Sequence, residues 1–356
     1  MKNRILFTGG GTGGHVYPAL AVIERMNKEN WDIAWIGSTE GMERGILEKT
    51  DIPYYGIPSG KLRRYVSLKN FTDLFRIAAG FFRSFYLLRK LKPQILFSKG
   101  GFVSVPPVMA AYFLRIPVFT HDSDIAPGLA TRINARFAHR ILLSSEESGK
   151  FFPLRLRDKI IVTGNPVRKS LFSGDRDTAR TMTGAPEGKP VILVMGGSLG
   201  AEQINRLIFD NIDRLTEKYF IIHQTGEKNF RALEKENYYG VPFFNEELAH
   251  IFALSDLVVS RAGAGALWEF AAAGLPSLLI PLESGSRGEQ VRNAEVFVEK
   301  ECSLMLRGKI DGETFLDTIA NIVDNEKKLA GMKAAAAEAG KSDGAALISR
   351  IIEEVI

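Results

Sequence analysis

Apolar positions along the chain follow two alternating rhythms. Short runs rich in Ile, Val, Leu and Phe recur at residues 5–7, 33–36, 95–97, 118–120 and 141–143, and again at 191–195, 220–223, 257–260 and 277–280. Continuous runs of this kind suit strands buried on both faces. Between them the apolar positions return every three or four residues, as at Val16, Ala19, Leu20, Val22, Ile23 and Met26. That is the spacing of a helix with one buried face. Strand and helix alternate throughout, so the pattern predicts an α/β fold with parallel sheets. The alternation breaks near residues 160–168, and the polar stretch 173–189 reads as a linker. The opening pattern then repeats. We expect two Rossmann-like domains facing a cleft, residues 1–164 and 165–344, with a terminal helix over 345–356.

Each half opens on a glycine turn. In the first, the strand 5–7 runs into Gly9-Gly-Gly-Thr12-Gly13-Gly14-His15 before its helix. In the second, the strand 191–195 runs into Gly196-Gly-Ser198-Leu199-Gly200-Ala. Bare backbone at such a turn lets amide groups and the helix N-terminus face an anion. Gly9, Gly11 and Gly14 also satisfy a dinucleotide fingerprint. Two features argue against NAD: His15 stands directly at the mouth, and the second strand ends in Gly37-Ser38 where a ribose-binding acid belongs. Both turns are therefore expected to cradle phosphate, with Thr12, Gly13, Gly14, Ser198, Leu199 and Gly200 as contacts.

Charge and composition narrow the setting. Residues 1–168 hold 25 Lys and Arg against 13 Asp and Glu, while residues 169–356 hold 21 against 28. The first half is expected to face something anionic. Its densest part, residues 57–92, interleaves nine Lys and Arg with Phe71, Phe75, Phe81, Phe82, Phe85 and Tyr86, against the single acid Asp73. That mixture fits a bilayer interface, with Arg76, Phe81, Phe82 and Arg83 facing lipid, better than it fits nucleic acid. The single cysteine, Cys302, excludes a disulfide framework. Met1-Lys-Asn-Arg leads into only three apolar residues before the glycines, so no secretory signal is expected. The longest apolar run, 102–114, is too short to span a bilayer. A peripheral protein of a reducing, cytoplasmic compartment is expected.

Four further clusters carry candidate chemistry. Gly164-Asn-Pro-Val-Arg168 places a bidentate cation at the domain junction. Glu269 lies in an otherwise apolar, alanine-rich helix and needs polar partners such as ribose hydroxyls. Gln290 and Asn293 are spaced to share a helical face and to hold sugar hydroxyls. His121-Asp122-Ser-Asp124 follows a strand, which makes Asp122, like His15, a candidate general base. Asp122 and Asp124 also form an Asp-x-Asp string, but no further acidic ligands lie near it, and no metal is expected.

Together these motifs resemble the MurG family of bacterial cell-wall glycosyltransferases. The resemblance rests on Gly10–His15, Gly164–Arg168, Gly196–Ala201, Arg261–Pro276 and the glutamine loop Ser286–Asn293, and it covers almost the whole chain. It implies the glycosyltransferase-B fold, with the C-terminal helix returning to the first domain. It implies inverting transfer of N-acetylglucosamine from UDP-GlcNAc, a substrate and not a cofactor, to the undecaprenyl-linked muramyl-pentapeptide. It places the enzyme on the cytoplasmic face of the cell membrane, with other cell-wall synthesis proteins as candidate partners. In that scheme Glu269 holds ribose, Ser198 and Arg168 meet the leaving diphosphate, Gln290 orients the sugar, and His15 or Asp122 takes the acceptor proton. The chain departs from the family where many members have His-Glu-Gln-Asn. Here Asp122 is the shorter acid, and Asp124, a carboxylate, cannot donate as an amide would. A UDP-sugar epimerase and a binding module without chemistry are the competing expectations.

Overall fold

The computed structural model describes residues 2–60, 68–197, 200–283 and 288–355, without the side chains of 68–72. The chain divides into two units, Met1–Arg168 with Asp343–Ile356, and Lys169–Ser342.

In the first unit the elements run β1 (Asn3–Thr8), α1 (Tyr17–Arg25), β2 (Trp31–Ser38), α2 (Met42–Leu47), β3 (Tyr54–Ile57), α3 (Leu68–Leu91), β4 (Ile95–Ser98), α4 (Val105–Phe113), β5 (Val118–Asp122), α5 (Leu129–Phe137), β6 (Arg140–Leu143) and β7 (Ile160–Val162). All seven strands are parallel, in the order β3-β2-β1-β4-β5-β6-β7. The order reverses between β1 and β4, and ligands of open parallel sheets bind outside the strand ends at that point. Successive residues of β1 feed opposite cores. Ile5 and Phe7 pack with Val22, Trp35 and Phe97 on one face, while Leu6 packs with Leu87, Leu88, Leu96 and Val108 on the other.

The second unit repeats the plan. It runs α6 (Arg176–Thr183), β8 (Val191–Met195), α7 (Glu202–Asp210), α8 (Ile212–Lys218), β9 (Phe220–Gln224), β10 (Tyr238–Val241), α9 (Leu248–Leu254), β11 (Leu257–Ser260), α10 (Ala264–Ala272), β12 (Ser277–Leu279), α11 (Glu289–Glu299), β13 (Ser303–Met305), α12 (Gly312–Val323) and α13 (Glu326–Gly340). Its strands are parallel in the order β10-β9-β8-β11-β12-β13, so β8 and β11 flank the second reversal. The final helix, α14 (Gly344–Glu353), belongs to the first unit. There Ile348, Ile351 and Ile352 are buried against the Ile5–Phe7 face. The division into units falls after Arg168 and before Asp343, a few residues from the sequence-based boundaries at 164 and 344.

Candidate functional site

Both glycine turns leave an inner strand of their sheet beside the reversal point. In the first unit, β1 ends at Thr8 and the chain loops outward, leaving Gly11, Thr12 and Gly14 exposed before a single 3-10 turn, Gly13–His15. A second glycine pair, Gly100-Gly101 after β4, presses against this loop. Gly101 has φ 78°, and a Cβ there would lie 2.2 Å from the Gly10 carbonyl oxygen and 3.0 Å from the His15 ring. Only glycine fits both the close approach and the left-handed backbone.

Two buried ionisable groups and the half-buried His15 stand around this loop. Glu43, fully buried at the start of α2, accepts from the Gly11 amide at 3.1 Å and the Ser38 amide at 2.9 Å. It thereby braces the loop from below. Lys99, 1% exposed, extends its ammonium to the Ser123 hydroxyl at 2.8 Å, and burial pushes its pKa down to about 8. His15 places Nδ1 3.2 Å from the Lys99 carbonyl oxygen, and burial, then the Lys99 charge, lower it to about 4.

Asp122 ends β5, is 5% exposed, and accepts from the Asp124 amide at 3.0 Å and the Gly128 amide at 3.3 Å. Its carboxylate is engaged in holding the turn after the strand. Ser123 donates to Asn165 Oδ1, which connects that turn to the Gly164–Arg168 segment. At the end of that segment the Arg168 guanidinium lies 4.8 Å from the centre of the Tyr17 ring.

In the second unit Gly196, Gly197 and Gly200 line a cleft of about 1190 Å³ together with Ser260, Arg261, Gly263, Leu282 and Gln290. Gly200 has φ 76°, and a Cβ there would lie 2.1 Å from the Thr225 carbonyl oxygen. Behind this turn runs a neutral relay. The Tyr238 hydroxyl donates to His223 Nδ1 at 3.1 Å, His223 Nε2 donates to Asn205 Oδ1 at 3.0 Å, and the Asn205 amide donates to Thr225 O at 2.9 Å. Burial lowers His223 to about 3, so the ring stays neutral. Gln224 also donates to Gly197 O at 3.3 Å. Arg261 is held by Gln203 Oε1 at 3.0 Å and Ile280 O at 2.8 Å, which sets its guanidinium in the cleft wall.

The structure sorts the sequence-based site residues. Thr12, Gly13, Gly14, His15, Asp122 and Arg168 belong to the first unit, and Gly200 and Gln290 line the cleft of the second. Glu269 is half-buried in α10, and Ser198 and Leu199 lie outside the described residues. Gln290 and Asn293 differ in burial and in their partners. Gln290 accepts from the Leu282 amide at 2.8 Å, whereas Asn293 is 1% exposed and donates to Ala262 O at 3.3 Å, fixing the turn before α10. Asn293 thereby ties α11 to the turn before α10.

Phe81 also differs from expectation. It is half-buried against the core with Phe85 and stacks edge-on to Phe113 at 5.9 Å. Arg76, Phe82 and Arg83 are exposed, as are Leu74, Phe75, Tyr86, Tyr112 and Phe113. The basic residues Lys61, Arg63 and Arg64 lie outside the described residues. Sequence reasoning missed Glu43 and Lys99. The double glycine after the apolar run 95–97 was the available signal for Lys99.

Two family models match in succession: the glycosyltransferase family 28 N-terminal domain over residues 5–143, and the family 28 C-terminal domain over residues 191–348. A relative from Treponema denticola, named UDP-N-acetylglucosamine--N-acetylmuramyl-(pentapeptide) pyrophosphoryl-undecaprenol N-acetylglucosamine transferase, is 46% identical, covering 95% of this chain and 94% of its own. A Bacillus anthracis protein of that name, numbered 2, is 48% identical over 83% of this chain and 84% of its own. Among solved structures, MurG of Acinetobacter baumannii is similar with a TM-score of 0.78 and 24% identity, covering 99% of each chain. The chain belongs to glycosyltransferase family 28 and, within it, to the MurG family of N-acetylglucosamine transferases.

Proposed function

We propose that this enzyme transfers N-acetylglucosamine from UDP-GlcNAc to the undecaprenyl-linked muramyl-pentapeptide, with inversion at the anomeric carbon. The observation that carries the reading is the 46% identity, over nearly the whole of both chains, to a transferase named for that reaction. The two glycine turns at the two reversal points support it, since such turns are where parallel sheets bind phosphate.

The acceptor hydroxyl oxygen attacks the anomeric carbon. The bond from that carbon to the β-phosphate oxygen breaks, and its electron pair leaves with UDP. The hydroxyl proton passes to a base of the first unit. His15 is the better base, because it is partly exposed at the end of the glycine loop while Asp122 is committed to two backbone amides. The Gly196–Gly200 turn and Arg168 offset charge growing on the leaving diphosphate, Glu269 holds ribose, and Gln290 orients the sugar. No metal enters this scheme.

Among the described residues no helix is long and apolar enough to cross a membrane, whereas the acceptor is lipid-linked. The exposed aromatic and basic face of α3 with the end of α4 is the docking surface in this reading, on the cytoplasmic side of an anionic membrane. Incubation with UDP-GlcNAc and a lipid-linked muramyl-pentapeptide tests the proposal. The product mass rises by one N-acetylglucosamine residue. Recovery of an epimerised UDP-sugar without the acceptor, or UDP-GlcNAc returned intact with it, refutes the assignment.

A further inference from the structure

Lys99 has no part in the transfer scheme above, yet it is among the largest fully buried side chains of the protein. A buried ammonium is costly, and an apolar side chain of its size would fill the same space. Its contacts join four strand-end segments. The ammonium donates to Ser123 Oγ at 2.8 Å after β5, Ser123 donates to Asn165 Oδ1 after β7, and the Lys99 carbonyl, just after β4, meets His15 Nδ1 at 3.2 Å after β1. A carbonyl only accepts, so the ring hydrogen sits on Nδ1, and the neutral imidazole carries its lone pair on Nε2.

We propose that Lys99 is a positioning residue for His15: its carbonyl fixes the tautomer that exposes Nε2 as proton acceptor, and its ammonium keeps the ring neutral. The catalytic half of this inference rests on the transferase reading, and the electrostatic half stands without it. The charges facing His15 are Lys99, which disfavours the imidazolium, and Asp122 and Glu43, which favour it. Those facing Lys99 are Asp122 and Asp124, and the buried His121 ring lies within reach of the same ammonium. An acceptor diphosphate adds negative charge and raises the pKa of a nearby histidine. A ring starting at the ordinary value would be protonated on its arrival and pair with phosphate. One held low beforehand is still a base when the acceptor is bound.

The test is a ring-nitrogen NMR titration of the full protein without substrate, with the His15 signal assigned by its loss in His15→Gln. Wild type should show the Nδ1–H tautomer and a midpoint below the ordinary histidine value. Lys99→Met should raise that midpoint by roughly one pH unit, the scale of a neighbouring charge. Lys99→Gln, which keeps a polar tip for Ser123, serves if the methionine variant does not fold. Ser123→Ala retains the ammonium and should stay within a few tenths of wild type. The acid limb of the kcat/KM profile for GlcNAc transfer should move upward with the midpoint. An Nε2–H tautomer in wild type, an unmoved midpoint in the folded Lys99 variant, or an equal shift in Ser123→Ala overturns the inference. Because the titration uses no substrate, a missing transferase activity would remove the catalytic reading and leave the electrostatic result intact.

Discussion

Removing two exposed phenylalanines should detach this protein from membranes without unfolding it. Phe75 and Phe82 are 63% and 69% exposed on α3, two helical turns apart, with Phe113 at the end of α4 61% exposed. Ala78, Ala79 and Tyr86 continue that face, flanked by Arg76, Arg83 and Arg89. Full burial of a phenylalanine is worth about 1.5–3 kcal/mol. Inserting the exposed two-thirds of each ring partway into an interface yields about 1 kcal/mol per ring. Phe75→Ser with Phe82→Ser therefore costs about 2 kcal/mol of membrane affinity, more than tenfold in partitioning. Each arginine near an anionic surface adds about 1 kcal/mol, so salt should weaken what remains. The assay is co-sedimentation with phosphatidylglycerol vesicles, beside activity on a lipid-linked and on a short-chain soluble acceptor. Binding and lipid-acceptor use should fall while soluble-acceptor turnover and Tm hold. Phe81→Ser is the contrast. Its ring packs against the core and Phe113, so that variant should lose roughly 2 kcal/mol of stability. Unchanged vesicle binding in the double variant, or a fall in its Tm matching that of Phe81→Ser, refutes the assignment of this face.

Gly200→Ala forces a Cβ onto the Thr225 carbonyl at a positive φ, so calorimetry should find UDP-GlcNAc affinity reduced at least about tenfold; wild-type affinity would remove the turn from the donor site. Arg168→Lys keeps charge but loses the planar group over Tyr17, so turnover should fall by roughly an order of magnitude at unchanged Tm; a wild-type rate would leave Arg168 a hinge residue. Activity should survive exhaustive chelation, and a complete loss restored by one divalent ion would make Asp122 and Asp124 metal ligands. His223, held near 3 by burial, should stay neutral when folded but take a proton below about 6.5 when unfolded. Its contribution to stability is therefore whole above that pH and is lost on acidification, so the wild-type advantage over His223→Gln should shrink by roughly 2 kcal/mol between pH 7 and pH 5; equal pH dependence of the two denaturation curves contradicts this.

The apolar runs found nine strands, and all nine lie inside the two sheets. The four they did not find, β3, β7, β10 and β13, are the four sheet edges. An edge strand pairs on one side only and needs no long apolar run. Tyr54-Tyr-Gly-Ile57 and Tyr238-Tyr-Gly-Val241 show how weak the local signal becomes. The glycine turns were legible because close backbone approach leaves a compositional mark. Glu43 was not, because it meets Gly11 across 32 residues of chain, and the Lys99 carbonyl meets His15 across 84. The burial of Asn293 was not legible for a related reason. Spacing fixes its separation from Gln290 around the helix, but only the neighbouring Ala262 carbonyl decides which of the two turns inward. The same limit applied to Phe81 and Phe82, adjacent residues separated by one step of helix rotation.

The two glycine turns share a place in their sheets but differ in what stands behind them. The first is surrounded by Glu43, Lys99, Asp122 and His15, ionisable groups that interact with one another. The second is backed by Tyr238, His223 and Asn205, a relay in which the hydrogen bonds run in one direction and no charge is carried. A donor diphosphate keeps the same charge before and after it binds, and its cradle gains nothing from groups that titrate. A hydroxyl that must lose a proton needs a base whose state is set in advance, which takes charged neighbours in a low-dielectric setting. In the proposed scheme, placing the neutral relay under one turn and the charged cluster under the other separates holding the leaving group from moving the proton. On this division, substitutions behind the second turn should act through donor affinity, and substitutions behind the first through the pH at which the enzyme works.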